Sequence, residues 1–352
     1  MDEIIKALTD TTITPELSNQ ILQLIEKHNK FIEPEAFIED SIAKYDPTSS
    51  KYIIAKQLLK NQIEYYSMSN TETTPNIQNI TFNSILQFID TSIILDIFGV
   101  QPMSGPVGLN YHTQIKEQDG SNFGTSLSMS VIAIATEACA IKLQAKFSLE
   151  AIQDINNTHG IDIANEITRA MGHEVIIELE NHALKSLLEV VETYYKLIDA
   201  SLEQIVVAIT ETANNIATKS RRGAGNFAVI PHSLFARFLN HPTFVISEEG
   251  EFIRDAYLKK DSNFISGFGG KLTNNINIIV YTNDMHLSDQ ILVGFKGNRE
   301  TDCGAYFSPY HYLINGGTVL DNDNMQPLMS FVSRFGLTIF EDTPKYYGLI
   351  KL

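Results

Sequence analysis

The sequence predicts an α+β protein, and three patterns support this prediction. Helical periodicity dominates residues 1–83 and 161–219, whereas short apolar runs typical of strands follow from residue 227 to the C-terminus. Between these regions, residues 107–147 contain two alternating apolar and polar limbs that flank a glycine-containing tip, which is the pattern of a β-hairpin.

The composition limits the function classes that need to be considered. The 352 residues carry a net charge of −16 with no basic cluster, which disfavours tight binding to nucleic acid or to an anionic membrane. The acidic N-terminus has no secretory pattern, and no apolar run is long enough to cross a bilayer, so we expect a soluble chain made in a cytoplasm. Cys139 and Cys303 are isolated, which argues against a disulfide framework or a thiolate zinc site.

The N-terminal region predicts helices separated by polar connectors. Thr14-Pro15-Glu16 combines a capping hydroxyl with a proline at the first helical position. A second helix is predicted over residues 51–66, and residues 67–78 are predicted as a polar connector.

Gln101–Leu109 predicts a stiff elbow. Pro102 and Pro106 fix two φ angles and remove two backbone donors, so no regular helix or central strand can pass through. Gly108 leaves room for close approach of another group. The elbow therefore separates the densely apolar segment 84–98 from the alternating segment that follows it.

The hairpin is predicted to run from Val107 to Phe147, with its tip at residues 117–126. Ten strand residues reach about 33 Å, and a two-stranded ribbon of that length is marginal unless it lies on another surface. No other segment of the sequence obviously covers it. A neighbouring subunit is one candidate for that surface.

The C-terminal half predicts two long helices followed by strands. The helices cover residues 161–198 and 201–219, and the glycines of Gly223-Ala224-Gly225-Asn226 suit a helix C-cap and a turn. A buried strand at 227–230 and a short helix opened by Pro231 come next. Further strands are predicted at 276–281, 291–296, 304–307 and 331–340.

No catalytic, cofactor-binding or metal-binding residue is predicted, so the chain is not expected to be an enzyme. His173-Glu174 begins like the zinc-protease helix motif, but Ile177 stands where the second histidine belongs. Residues 267–272 lack the spacing of a phosphate loop and are predicted as a flexible loop. Gly223-Ala224-Gly225 lacks the third glycine of a dinucleotide fingerprint, and no nucleophile elbow occurs.

Five strings of the chain, from about residue 80 onward, resemble the major capsid proteins of T-even-like tailed bacteriophages. They occur in the family's order and with its spacing. In this sequence they are 101–109, 147–154 with 159–162, 223–227, 293–297 with 302–310, and 326–329 with 333–337.

This resemblance implies the Hong Kong-type α+β fold of tailed-phage shell proteins. The expected parts are an N-terminal helical arm (1–100), the elbow and extended loop (101–147), a peripheral domain with the spine helix (148–200), an axial domain (201–270) and a sheet return (271–352). The short tip implies that the domain inserted in T-even extended loops is missing here.

The resemblance also implies self-assembly into hexamers and pentamers that close into an icosahedral virion capsid, formed in the host cytoplasm. The shell would enclose DNA without binding it tightly, would need no cofactor or membrane, and would have vertex, portal, scaffold and decoration proteins as possible partners. Glu26, in Leu24-Ile25-Glu26, is a weak candidate for head-protease cleavage, and Gly223, Gly225 and Asn226 form the axial-domain turn. The candidate inter-subunit contacts are Pro102, Met103, Gly105, Pro106, Leu109, Tyr111, Ile115, Ile141, Leu143 and Phe147.

Three alternatives remain open from the sequence. The chain could be the pentamer-forming vertex paralogue, or the shell protein of a bacterial nanocompartment that encloses enzymes. An acidic cytosolic α+β enzyme is the more distant alternative.

Overall fold

A computed structural model gives the fold of the chain. It describes residues 34–68, 75–118, 126–146, 148, 163–198, 200–248, 250–251, 266–272, 275–281, 289–320 and 326–352. The described residues contain helices, two larger sheets and a separate two-stranded ribbon, which confirms the α+β prediction. The predicted helix start at Thr14 and the cleavage candidate Glu26 lie outside the described residues.

A four-stranded sheet organises the larger hydrophobic core. Its order is β1 (Gly99–Val100), β11 (Ala305–Leu320), β12 (Pro327–Ile339) and β4 (Cys139–Lys146). β1 runs parallel to β11, and the other neighbours are antiparallel. The strands predicted at 304–307 and 331–340 belong to this sheet and are longer than predicted.

Helices cover one face of this sheet. They are α1 (Pro34–Ile42), α2 (Ser50–Met68), α3 (Pro75–Thr91), the short α4 (Ile94–Ile97) and the long α5 (Ile163–Leu188). Phe88 of α3 packs against Phe307 and Tyr312 of β11, and the Tyr312 hydroxyl donates to the carbonyl of Gly172 in α5 at 2.6 Å. The apolar segment 84–98 is therefore core, as its composition indicates.

A seven-stranded mixed sheet organises the second core. Its order is β5 (Thr193–Lys196), β13 (Tyr347–Lys351), β10 (Gln290–Gly294), β6 (Phe227–Pro231), β9 (Asn277–Tyr281), β8 (Gly267–Leu272) and β7 (Phe244–Ile246). Helices α6 (Leu202–Ser220) and α7 (His232–Phe238) pack on it through fully buried residues such as Ile209 and Phe238. A 3₁₀ turn (Thr343–Lys345) precedes β13.

The long predicted helix ends earlier than expected. It stops at Leu188, and Thr193–Lys196 forms a strand parallel to β13. The β-branched and aromatic residues Thr193, Tyr194 and Tyr195 favour this extended conformation. The second long helix is confirmed, because Ser201 accepts from the Gln204 amide while the Gln204 side chain accepts from the Ser201 amide, forming a capping box.

Three local predictions are wrong. Residues 75–78, predicted as connector, form the first turn of α3, with Pro75 at a position that tolerates proline. The predicted loop 267–272 is strand β8, paired with β7 and β9, and Gly270 has a φ of 156°. The left-handed C-cap of α6 is Arg221, with φ 54°, rather than a glycine.

Candidate functional site: the hairpin and its root

The elbow is fixed by its own subunit. The amides of Gln101 and Met103 donate to the carbonyls of Phe307 and Pro309 at 3.1 and 3.0 Å, which continues the pairing of β1 along β11. The Met103 side chain is 3% exposed, and a Cβ on Gly108 would lie 2.5 Å from Met103 Cγ. The close approach predicted at Gly108 is thus to the elbow itself.

The hairpin is shorter than predicted. Strands β2 (Val107–Gln118) and β3 (Ser126–Glu137) pair antiparallel from Val107 opposite Glu137 to Gln118 opposite Ser126. The chain then turns where the Ala138 amide donates to the Pro106 carbonyl at 2.9 Å.

The predicted return limb beyond Glu137 is strand β4, which pairs with β12 instead of β2. Its residues Ile141 and Leu143 therefore pack against the core of their own subunit. Phe147 lies outside the described residues.

Side chains and a loop hold the outer edge of β2, and we call this set of contacts the root clamp. The Gln101 side chain accepts from the Tyr111 amide and donates to the Tyr111 carbonyl, both at 2.9 Å. Two residues further on, the Thr113 amide donates to the Thr301 carbonyl at 3.2 Å, and Arg222 Nη2 donates to the Thr113 carbonyl at 2.9 Å. The backbone polar groups of Tyr111 and Thr113 are thus satisfied without another strand.

Arg222 connects the root clamp to the end of α6. Its Nε lies 3.5 Å from Asp302 Oδ1, and both side chains are largely buried. The backbone that positions Arg222 is fixed in two ways. Arg221 has a left-handed conformation, and the Arg222 amide donates to Ser220 Oγ.

The residue 296–302 loop is itself anchored on two sides. The Asn226 side chain donates to the Lys296 carbonyl at 2.7 Å and accepts from the Lys296 amide at 3.0 Å. Lys296 Nζ donates to the carbonyls of Leu95 and Phe98 at the end of α4. The predicted turn residue Asn226 therefore supports the loop that holds the hairpin. Gly223 and Gly225 allow close contact with Phe295 and with Ala213 of α6, respectively.

The lower face of the hairpin root carries a buried polar network. Asn110 donates to Thr136 Oγ1 at 3.0 Å and to Thr338 Oγ1 at 2.8 Å, and it accepts from Ser308 Oγ at 2.9 Å. Thr136 and Thr338 also bond to each other. Because each member has partners, this network favours a single register of the hairpin on the four-stranded sheet.

His112 extends this lower face. Its ring stacks on Phe340 with centroids 4.6 Å apart, and Nδ1 lies 3.2 Å from the Tyr306 hydroxyl. Burial lowers the pKa of His112, against an opposing contribution from the Asp342 carboxylate, which favours the neutral imidazole.

The upper face of the hairpin is exposed and mainly apolar, with Glu137 opposite Val107 at its base. Val107, Leu109 and Tyr111 of β2 are 58%, 55% and 47% exposed, and Val131 of β3 is 65% exposed. Ala133 and Ala135, opposite Tyr111 and Leu109, are exposed as well. The half-buried Ile132 and Ile134 lie on the lower face, opposite His112 and Asn110, but the apolar side chains of the upper face remain largely in contact with solvent. The apolar upper face is therefore the candidate contact surface.

The other predicted contact residues lie around this surface. Pro106 is exposed and Pro102 and Gly105 are half-buried in the elbow, while Ile115 lies in β2 opposite Met129. Sequence reasoning missed Asn110, Arg222, Thr301 and Asp302, because isolated polar residues carry no periodic signal.

Among the residues the structure describes, no three His, Cys, Asp or Glu side chains are placed to hold a metal ion, and no helix is long and apolar enough to span a membrane. Cys139 is exposed, and burial raises the pKa of Cys303 to about 12.

A family model described as Major capsid protein Gp23 matches residues 110–348, which include most of the hairpin, most of both larger sheets, and Thr113, Arg222 and Thr301 of the root clamp. This chain belongs to that family of major capsid proteins. Family membership confirms the resemblance to major capsid proteins and the prediction of a capsid-protein fold.

Similar curated proteins are also named as major capsid proteins. The major capsid protein of Vibrio phage KVP40 is 24% identical to this chain, and the match covers 62% of this chain and 46% of the relative. The major capsid protein of Enterobacteria phage T4 is 26% identical, and the match covers 58% of this chain and 43% of the relative. The chain thus spans less than half the length of these relatives. The protein of Salmonella phage ViI is 20% identical, with 94% of this chain and 91% of that protein covered.

Solved structures similar to the chain include a virus-like particle from Pyrococcus furiosus, with 13% identity and a TM-score of 0.49 over 80% of this chain and 100% of that one. Another is the capsid of Myoviridae Phage XM1, with 7% identity and a TM-score of 0.43, where the match covers 74% of this chain and 91% of that one.

Proposed function

We propose that this major capsid family member is the shell subunit of a tailed phage, and that it assembles into hexamers and pentamers through its hairpin. The observation that carries the proposal is the exposed apolar upper face of a hairpin whose lower face and outer edge are bonded to its own subunit. We infer that the upper face lies on a neighbouring copy of the chain.

Burial of this face supplies the driving force. Full burial of Val107, Leu109 or Val131, each 55–65% exposed, would contribute about 1–2 kcal/mol per side chain, and Tyr111 would add to this, before the entropy of association is subtracted. The contact is head-to-tail, because the hairpin of one copy meets a different surface of the next, and such contacts close into rings at a fixed rotation.

The root clamp sets the direction of the hairpin. A ring of six or five subunits closes only if successive copies are related by a constant angle. If the hairpin could pivot at its base, the angle between neighbouring subunits would vary. Gln101, Thr301 and Arg222 fix three of the bonds that prevent such pivoting. Once one contact between two subunits has formed, the others form at a high effective concentration, so many modest contacts together give a stable shell.

The proposal extends to the partners and location implied by the family. We propose assembly in the host cytoplasm and an interior that holds DNA without tight binding, consistent with the net charge of −16. Vertex, portal, scaffold and decoration proteins are further proposed partners.

Electron microscopy of the purified protein tests the proposal, with Leu109→Ser/Tyr111→Ser as the disrupting variant. We expect closed shells from the wild type and soluble, folded subunits from the variant. Val207→Ser/Val245→Ser is the matched control, since these side chains are 55% and 67% exposed away from the hairpin. Equal shell yields from all three proteins would overturn the placement of the hairpin on a neighbour.

A shortened hairpin gives an independent test. Thr113 and Val131 are paired, so residues 114–130 can be replaced by Asn-Gly, which forms a tight two-residue turn. The root clamp and the four-stranded sheet remain intact, and we expect a stable monomer that forms no shells. Particle contents and copies per particle then separate a major shell protein from a vertex paralogue or an enzyme-filled compartment.

A further inference from the structure

The outer face of the four-stranded sheet is a second surface with exposed residues. Along β12, Phe331 and Phe335 point into the core, whereas the alternate residues Val332 and Arg334 are half-buried on the opposite side. Their partners on β4, Lys142 and Ala140, are exposed on that same side. We define the outer sheet face by six residues: Ala140, Lys142, Gln144, Ser330, Val332 and Arg334.

No strand of this sheet contains Asp or Glu, although the chain has 42 acidic residues. The seven-stranded sheet lacks acidic residues too, but most of its residues are buried, which explains their absence there. Burial does not explain it on the outer sheet face, where Lys142 and Gln144 are exposed. The face instead presents Lys142 and an Arg334 guanidinium that lies 5.3 Å from the centre of the Tyr310 ring.

We infer that the outer sheet face is a second assembly contact that binds an acidic surface of another copy of this chain. The inference rests on the proposed function. Copies that each carry a net charge of −16 repel one another, and two acidic surfaces brought together add to this repulsion. Because its six defining residues include Lys142 and Arg334 and no carboxylate, the outer sheet face would attract an acidic surface at the point of contact.

The position of the face supports this partner. Gly336 and Thr338 continue the same side of β12, and the hairpin root covers them through Thr136 and Asn110. The hairpin therefore leaves the subunit directly beside the outer sheet face. A copy seated near the hairpin base would reach both surfaces, which makes them one continuous contact region.

The test places acidic residues on the face with Lys142→Glu/Gln144→Glu. Both side chains are exposed, so the backbone pairing of β4 with β12 is retained. Lys185→Glu/Gln87→Glu is the control, because it changes the net charge by the same amount at exposed helical positions. The subunit concentration needed for shells is measured by light scattering and microscopy at about 0.05 M and about 0.5 M salt, and circular dichroism checks folding.

We expect the face variant to need at least roughly tenfold more protein than the control at low salt, with a smaller gap at high salt. Equal concentrations for the two variants would overturn the inference and leave the proposed function standing. A wild type that stays monomeric at every concentration would overturn both.

A binding assay with labelled double-stranded DNA separates the other class of partner. If the face variant loses DNA binding while it assembles like the control, the face contacts nucleic acid and the inference is wrong. If assembly weakens and DNA binding matches the control, the contact between copies is supported.

Discussion

The side chain of Gln101 bonds to both backbone polar groups of Tyr111, accepting from the amide and donating to the carbonyl at 2.9 Å each. One amide side chain thus replaces a neighbouring strand at the edge of β2. Gln101→Ala leaves both groups to water, so we expect a loss of about 1–2 kcal/mol in unfolding free energy. Hydrogen exchange at the Tyr111 amide should accelerate more than exchange in β12.

Gln87→Ala is the control for this prediction, because Gln87 is exposed on α3 and alanine suits a helix. Unchanged protection of Tyr111 in Gln101→Ala would show that the clamp does not hold the edge of β2.

Substitution by alanine is expected to change the stability in opposite directions at two glycines of the elbow, Gly105 and Gly108. A Cβ at Gly108 would lie 2.5 Å from the buried Met103 side chain, whereas the nearest atom to a Cβ at Gly105 is 3.9 Å away. We expect Gly108→Ala to cost about 1–3 kcal/mol by overpacking. Gly105→Ala should be neutral or slightly stabilising, since alanine restricts the unfolded chain. Urea unfolding of both variants measures the difference, and equal stabilities would contradict the contact.

The elbow and the hairpin base were predictable because their signals are local. Prolines restrict their own φ, Gly108 marks a close approach, and the alternation after Val107 gives the period of a strand. The capping box of α6 is likewise contained within four residues, Ser201 to Gln204.

The partner of β4 was not predictable from this alternation. Ile141 and Leu143 show the same period whether β4 pairs with β2 or with β12, because a period of two reports which face is buried and not which strand lies beside it. The root clamp was missed for a related reason. Arg222 meets Thr113 across more than 100 positions of the chain, and no sequence spacing encodes such a contact.

The contacts of Arg222 lead us to expect that lysine cannot replace arginine in the root clamp without a loss of stability. Its guanidinium donates to the Thr113 carbonyl through Nη2 and forms an ion pair with Asp302, with Nε 3.5 Å from Oδ1, and the compact ammonium of lysine lacks this spread of nitrogens. We expect Arg222→Lys to lower the unfolding free energy by about 1–3 kcal/mol and to reduce shell yield.

Arg237→Lys is the matched control for this substitution. The exposed Arg237 makes one bond to the Ala200 carbonyl at 3.2 Å, so its variant should remain within about 0.5 kcal/mol of the wild type. Equal unfolding free energies and equal shell yields for Arg222→Lys and Arg237→Lys would show that Arg222 does not hold the root clamp.

Glu180 predicts a pH-dependent stability of the core. Its carboxyl is buried at the middle of α5, where it accepts from the Ile93 amide at 3.0 Å and from Ser92 Oγ at 3.1 Å. Burial raises the pKa of Glu180 from 4.5 to about 7, although these hydrogen bonds act in the opposite direction.

Between pH 4.5 and pH 7, the folded chain therefore holds a proton on Glu180 that the unfolded chain has released. This contribution to stability is complete below pH 4.5 and is lost as the pH rises through about 7, at no more than about 1.4 kcal/mol per pH unit. Glu180→Gln keeps the acceptor and removes the titration, so its unfolding free energy should fall less between about pH 5 and about pH 8. Glu174→Gln, at an exposed position of the same helix, should retain the wild-type pH dependence. Parallel pH profiles for wild type and Glu180→Gln would show that the buried carboxyl does not bind this proton.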